Sequence, residues 1–200
     1  MNRRRLAPWV TLAAVATLVA LAIFGRHDDE LPALGQVPAF AVTDHHGESL
    51  QPSDLRGKAW IANFMFTRCP DVCPLLTEKM LGLWQQLDRD RARLRFVSFS
   101  VDPKHDSPEV LARYADEHGA NRPGWFFVTG PLDDVRKVVV ETFHQSMERV
   151  EEPGKPMNVL HGSHFVLVDA QGAIRGYYRS DAEGLRKLAR DATRLARQAP

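Results

Sequence analysis

Two hundred residues, with 26 Lys and Arg against 25 Asp and Glu for a formal net charge of +1, leave room for one domain of ~100–150 residues and an appendage. The basic residues are interleaved with acidic ones rather than massed into a stripe, which sets nucleic acid aside as a partner. At 44% hydrophobic and 26% charged, with Gly and Pro at 13 each, the composition excludes a disordered chain, a collagen and a repeat array.

The N-terminus departs from this average. Arg3, Arg4 and Arg5 precede an uncharged apolar run over residues 6–24, broken only by Pro8, Thr11 and Thr17. A helix over that run is roughly 28 Å long, enough to cross a ~30 Å hydrocarbon core. The arginines before it, with Asp28, Asp29 and Glu30 after it, place the N-terminus in the cytoplasm and the rest of the chain outside. A cleaved signal peptide is the alternative. No small-x-small cleavage site follows the run and no cysteine there awaits a lipid. Residues 1–25 are therefore read as one transmembrane anchor of an inner, plasma-type membrane, with the soluble part on the periplasmic side. Residues 26–36, with Pro32 and Gly35, read as a linker, and residues 37–200 as the domain.

Within the domain, residues 59–66 (AWIANFMF) read as a buried strand. Leu76, Met80, Leu83, Trp84 and Leu87 recur at helical spacing, and residues 94–101 are a second buried strand. Ser107-Pro108-Glu109 supplies a capping hydroxyl, a first-turn proline and an early carboxylate for a helix to about Gly119. Residues 125–129 are a third strand and 132–143 a third helix. A long irregular loop covers 145–160, with Pro153, Gly154 and Pro156, a length usually reserved for function. Strands over 165–169 and 174–179 flank Ala170-Gln171-Gly172 as a hairpin, and a helix from about Asp181 carries Leu185, Leu188 and Leu195 on its apolar side. The order βαβαβα then ββα predicts an α/β fold, a central mixed sheet with helices on both faces. It is the thioredoxin-like order, entered late.

The only cysteines are Cys69 and Cys73. The loop they would close is too small to constrain an unfolded chain, so in an oxidising compartment the pair reads as chemical rather than structural. Phe66–Pro74 joins a strand to a helix, and helix N-termini present unpaired N–H groups and a partial positive charge to a thiol. Pro70 suits the first helical turn. Cys69 and Cys73 then stand at i and i+4 on one helix face, a spacing that allows either a disulfide or two thiolates aimed at one metal ion. Structural zinc wants four ligands, usually as two close pairs, and there is no second pair. Two thiolates with an imidazole suit Cu(I) better. Peroxide reduction on this fold needs a proline and a hydroxyl at fixed distances before the cysteine. Thr67 is two residues before Cys69, but no proline lies between Pro52 and Cys69.

TRCPDVCP (67–74), SVDPKHDSPEVLARYA (100–115) and LHGSHFVLVDAQG (160–172) together resemble the Sco/SenC family of copper proteins that serve cytochrome c oxidase assembly. With the elements between, the resemblance covers residues 37 to the final helix. It implies a thioredoxin-like fold and a Cu(I) or Cu(II) ion held by Cys69, Cys73 and a histidine. It further implies delivery to the dinuclear copper centre of an oxidase subunit, and in some relatives thiol–disulfide reduction of that target, with Cys69–Cys73 as the disulfide. The family pattern, similar to His-x-Ser-x-Phe, puts His161 in the ligand place, where Gly162 stands in for the proline that faces the cysteines in related oxidoreductases. His164 then begins the following strand. His45, His46, His105 and His118 read as solvated, His144 as a polar loop residue, Met147 and Met157 as outside the site, and Asp102 as a turn residue before Pro103, with a supporting hydrogen bond near the cysteine loop as the alternative. A chaperone without turnover of its own is the first reading. A thiol–disulfide oxidoreductase, sharing the cysteines but needing no His161, is the second.

Overall fold

A computed structural model describes residues 30–145, 148–150, 158–160 and 164–199. The apolar run expected to cross a membrane lies outside these residues, and among the described residues no helix is long and apolar enough to do so. The chain divides into two compact units, Met1–Leu31 and Pro32–Pro200, and the second of these holds the sheet and its helices.

The sheet is built on β4 (Ala59–Met65) and β5 (Leu94–Ser100), which pair in parallel from Ala59 against Leu94 to Met65 against Ser100. Every residue of β4 is buried, which is why the sequence shows an apolar run, broken only by Asn63, instead of alternation. β6 (Trp125–Thr129) pairs in parallel with β5 on its far side. The crossovers α2 (Val72–Gln86) and α3 (Pro108–Glu117), which follow the short α1 (Pro52–Leu55) in the chain, move it across the sheet in one direction. Crossovers of a single hand therefore place them on one face. They meet through a 3.0 Å hydrogen bond between the buried hydroxyls of Thr77 and Tyr114. As its sequence predicts, α3 starts with Pro108 in the first turn and the Ser107 hydroxyl accepting from the Val110 N–H at 3.4 Å.

After β6 the chain reverses direction through α4 (Leu132–Arg136) to reach β9 (His164–Val168), antiparallel to β4. The helix expected over 132–143 is not uniform: Lys137–Thr142 widens into a π-helix, with Phe143 N–H donating to Val138 C=O at 3.1 Å. Consecutive Val138, Val139 and Val140 crowd an α-helical turn. The wider turn delivers Phe143 onto Trp60, Phe64 and Phe99 at ring separations of 5.5–5.9 Å. This aromatic cluster is the core of the second face. The hairpin of β9 with β10 (Ala173–Arg179) matches the sequence reading, and Asp169 closes its turn by accepting from the Gln171 and Ala173 N–H groups. The last helix, α5 (Ala182–Gln198), is capped by the Asp181 carboxylate and packs on β4, β9 and β10 beside α2.

Short pieces complete an eight-stranded sheet. β1 (Gly35–Gln36), in the stretch read as linker, pairs with β10. β2 (Val42–Asp44) pairs with β6 and with β3 (Ser49–Leu50). The loop expected over 145–160 is not wholly irregular, because β7 (Glu148–Val150) and β8 (Asn158–Leu160) form an antiparallel ribbon there. Their short extended segments satisfy each other's backbone groups.

The turn from β2 to β3 corrects one histidine. His45 is buried, not solvated, because the β2–β6 pairing covers it, and its Nδ1 accepts the Phe127 N–H at 3.2 Å. Burial, then the neighbouring His46, hold the imidazole below its ordinary pKa, with Asn121, Asp44 and Asp116 pulling the other way. A depressed folded-state pKa gives a contribution that is complete above the unfolded value of ~6.5 and is lost as pH falls below it. The urea unfolding midpoint should therefore fall between pH 7.5 and 5.5, and fall less in His45→Gln. Identical pH dependence in the two proteins would contradict this.

Candidate metal centre

Beyond β4 the chain makes one turn, in which Cys69 N–H donates to Phe66 C=O at 3.3 Å, and then enters α2. Asp71 is the N-cap residue of α2, yet its side chain makes no capping hydrogen bond. Cys69 Sγ takes that place, accepting the Cys73 N–H at 3.4 Å. One of the orphan donors of the helix N-terminus is thus satisfied by sulfur. The helix begins later than the sequence suggests, so Pro74, not Pro70, occupies its first turn. Only Cys73 of the pair is helical. Cys69 precedes the helix because its sulfur is used as the cap. The two stand as thiols, Cys73 buried and Cys69 partly accessible. The hydrogen bond with Cys69, followed by burial, pushes the Cys73 thiol far above its ordinary pKa.

A second loop, between β5 and α3, holds this turn from beneath. Asp106 is fully buried and accepts from Thr67 Oγ at 2.6 Å, Ser100 Oγ at 2.6 Å and Thr67 N–H at 3.2 Å. The Thr67 hydroxyl is thereby committed to Asp106. Asp102 is more than a turn residue. Its carboxylate is fully buried and accepts from Arg68 Nη2 at 2.8 Å, with His105 Nδ1 at 2.9 Å from the same oxygen. Both residues preceding Cys69 are therefore tied to buried carboxylates.

His164 begins β9, exposed and paired with Arg179, as its sequence place predicts. His105 is bound to Asp102 and the His118 ring lies tilted against Tyr114, 4.3 Å between centroids, so neither is merely solvated. His144 is exposed and has a left-handed backbone, φ 52°. His161, Met147 and Met157 lie outside the described residues. Among the described residues, no three His, Cys, Asp or Glu side chains are grouped to hold a metal ion. The sequence reading missed Asp106. Its only signal is a carboxylate just before a helix cap, which on its own reads as a turn.

A half-accessible thiol on a helix N-terminus, a buried thiol one turn on, and a sheet with helices on both faces define a thioredoxin-like dithiol protein. The SCO1/SenC family model matches residues 29–197. A protein described as a SCO1 homologue in Bacillus subtilis is 30% identical over 140 residues, 70% of this chain and 71% of that one. The structure of BsSco is described as carrying a disulfide switch in a member of the Sco family of cytochrome c oxidase assembly proteins. It is 27% identical, with a TM-score of 0.70 over 83% of this chain and 96% of its own. Yeast Sco1, solved with copper bound, is 29% identical, with a TM-score of 0.62 over 80% of this chain and 88% of its own. The chain belongs to the SCO1/SenC family.

The unequal burial of the thiols has a direct readout. In the reduced protein near pH 7.5, iodoacetamide should modify Cys69 at least ~10-fold faster than Cys73, since the thiolate is the nucleophile and access limits attack. Peptide mapping by mass spectrometry measures both rates, and equal rates would contradict the geometry.

Proposed function

We propose that this chain is a copper chaperone of cytochrome c oxidase assembly, binding one copper ion through Cys69, Cys73 and His161 and passing it to the dinuclear copper centre of an oxidase subunit. The observation that carries the reading is the pair of sulfurs brought to one helix N-terminus, Cys69 Sγ lying on the Cys73 N–H. Two soft thiolates suit copper, and the relatives support the cargo: yeast Sco1 holds copper and BsSco is grouped with oxidase assembly proteins. β9 begins at the end of the sheet where β4 delivers Cys69, three residues after His161 in sequence. Three protein ligands leave a coordination position by which an incoming ligand enters before the old ones depart. The N-terminal run serves as a single-pass anchor over residues 1–25, with 26–36 as tether, and holds the domain on the periplasmic side.

A second reading has its own support in the disulfide switch described for BsSco. As a thiol–disulfide oxidoreductase, Cys69 and Cys73 would close to a disulfide, giving two electrons and two protons to a disulfide of the oxidase subunit, which leaves as two thiols. The histidines separate the readings. In the full-length chain in detergent, His161→Ala should lower copper affinity by more than the ~10–100-fold typical of losing a supporting group. His164→Ala should change it little, and dithiol–disulfide exchange should survive both changes. Loss of binding in His164→Ala alone would move the ligand three residues along. Unchanged binding in both variants would remove the histidine from the site and favour the oxidoreductase.

A further inference from the structure

We infer that Asp106 is the positioning residue of the thiol pair: acting through Thr67, its carboxylate fixes the turn that carries Cys69 onto the first turn of α2, and so sets how well the pair holds a metal ion. The inference rests on the copper reading and extends it to a residue outside the proposed ligand set.

Thr67 and Asp106 are 39 residues apart in sequence, yet both donors of Thr67, the N–H and the hydroxyl, end on this one carboxylate. Those contacts fix the backbone and the side chain of the residue where the turn to Cys69 begins. The Cys69 N–H to Phe66 C=O bond brackets Thr67 from either side, so a movement of Thr67 moves Cys69. Ser100, the last residue of β5, donates to Oδ2, the oxygen that also accepts the Thr67 N–H, while the Thr67 hydroxyl takes Oδ1, and this locks the carboxylate to the strand. With three donors converging, the site demands an acceptor on every side. An amide in place of the carboxylate would turn an N–H₂ group against one of them. Asp106 is fully buried, so no water takes over that bond when it is lost. Asp102 holds Arg68 in a parallel way, but the Arg68 side chain is 47% exposed and its hold is correspondingly looser.

Full-length Asp106→Asn, Thr67→Val and Thr67→Ser in detergent, beside the parent, provide the test. Three quantities are read: Cu(I) affinity by competition with bicinchoninic acid, the dithiol–disulfide equilibrium against glutathione, and Tm. Asp106→Asn and Thr67→Val should lose about 10–100-fold in affinity. Their equilibrium with glutathione should shift severalfold towards the disulfide, because the anchored turn belongs to the dithiol. Thr67→Ser, which keeps both donors, should match the parent, and these differences should not follow Tm. Should Asp106→Asn fail to fold, Thr67→Val against Thr67→Ser decides. Affinity and glutathione equilibrium unchanged in Asp106→Asn would overturn the inference, as would Thr67→Ser behaving like Thr67→Val or losses that merely track Tm. A parent that binds no Cu(I) would overturn the copper reading instead, with the glutathione arm still testing the anchor.

Discussion

Everything at the site depends on the register between β4 and β5. The strands run in parallel and finish level, Met65 against Ser100, so the loops leaving them share one surface. Ligands in α/β sheets gather at such carboxyl ends. Two residues beyond Met65 stands Thr67, and six beyond Ser100 stands Asp106. The 2.6 Å bond between them exists only because the strands end together. A slip of one residue would turn each side chain to the opposite face and would leave a buried carboxylate without its donors, at a cost of ~1–3 kcal/mol or more for a charged group.

That constraint explains the division of labour between the two faces. The aromatic cluster of Trp60, Phe64, Phe99 and Phe143 makes one face dry and rigid. The other face carries α2 and α3, joined by the buried hydroxyls of Thr77 and Tyr114. At the cysteine turn the buried Asp106 carboxylate gathers Thr67 and Ser100 into one hydrogen-bonded cluster, and such clusters specify one arrangement at the expense of tolerance. A thiol pair presented from that cluster is held in place. The exposed Val72 and Leu75, at 45% and 48% exposure, stand on α2 directly beside Cys73.

Features whose cause is local were legible in the sequence. The largely apolar runs of β4 and β5, interrupted only by Asn63 in the first and by Arg95, Ser98 and Ser100 in the second, announce buried strands, and Ser107-Pro108-Glu109 announces a capped helix because the cap is a contact three residues long. The cysteine motif announces a dithiol, though not that Cys69 itself caps α2. What failed to show was decided at long range. His45 reads as solvated until β2 is paired with β6, and Asp106 reads as a turn residue until the strand register sets it under Thr67. The π-helical turn at 137–142 keeps an apolar helical period and differs only in where Phe143 lands. The β7–β8 ribbon hides behind the prolines and glycine between its strands.

X-ray absorption at the copper edge is the most direct measurement of the central claim, made on the reduced full-length chain loaded with one equivalent of copper. A coordination shell of two sulfurs and one imidazole nitrogen, with a sulfur lost in Cys69→Ser and again in Cys73→Ser, is the predicted result. A shell of nitrogen and oxygen alone, or sulfur that persists when both cysteines are replaced, would contradict it.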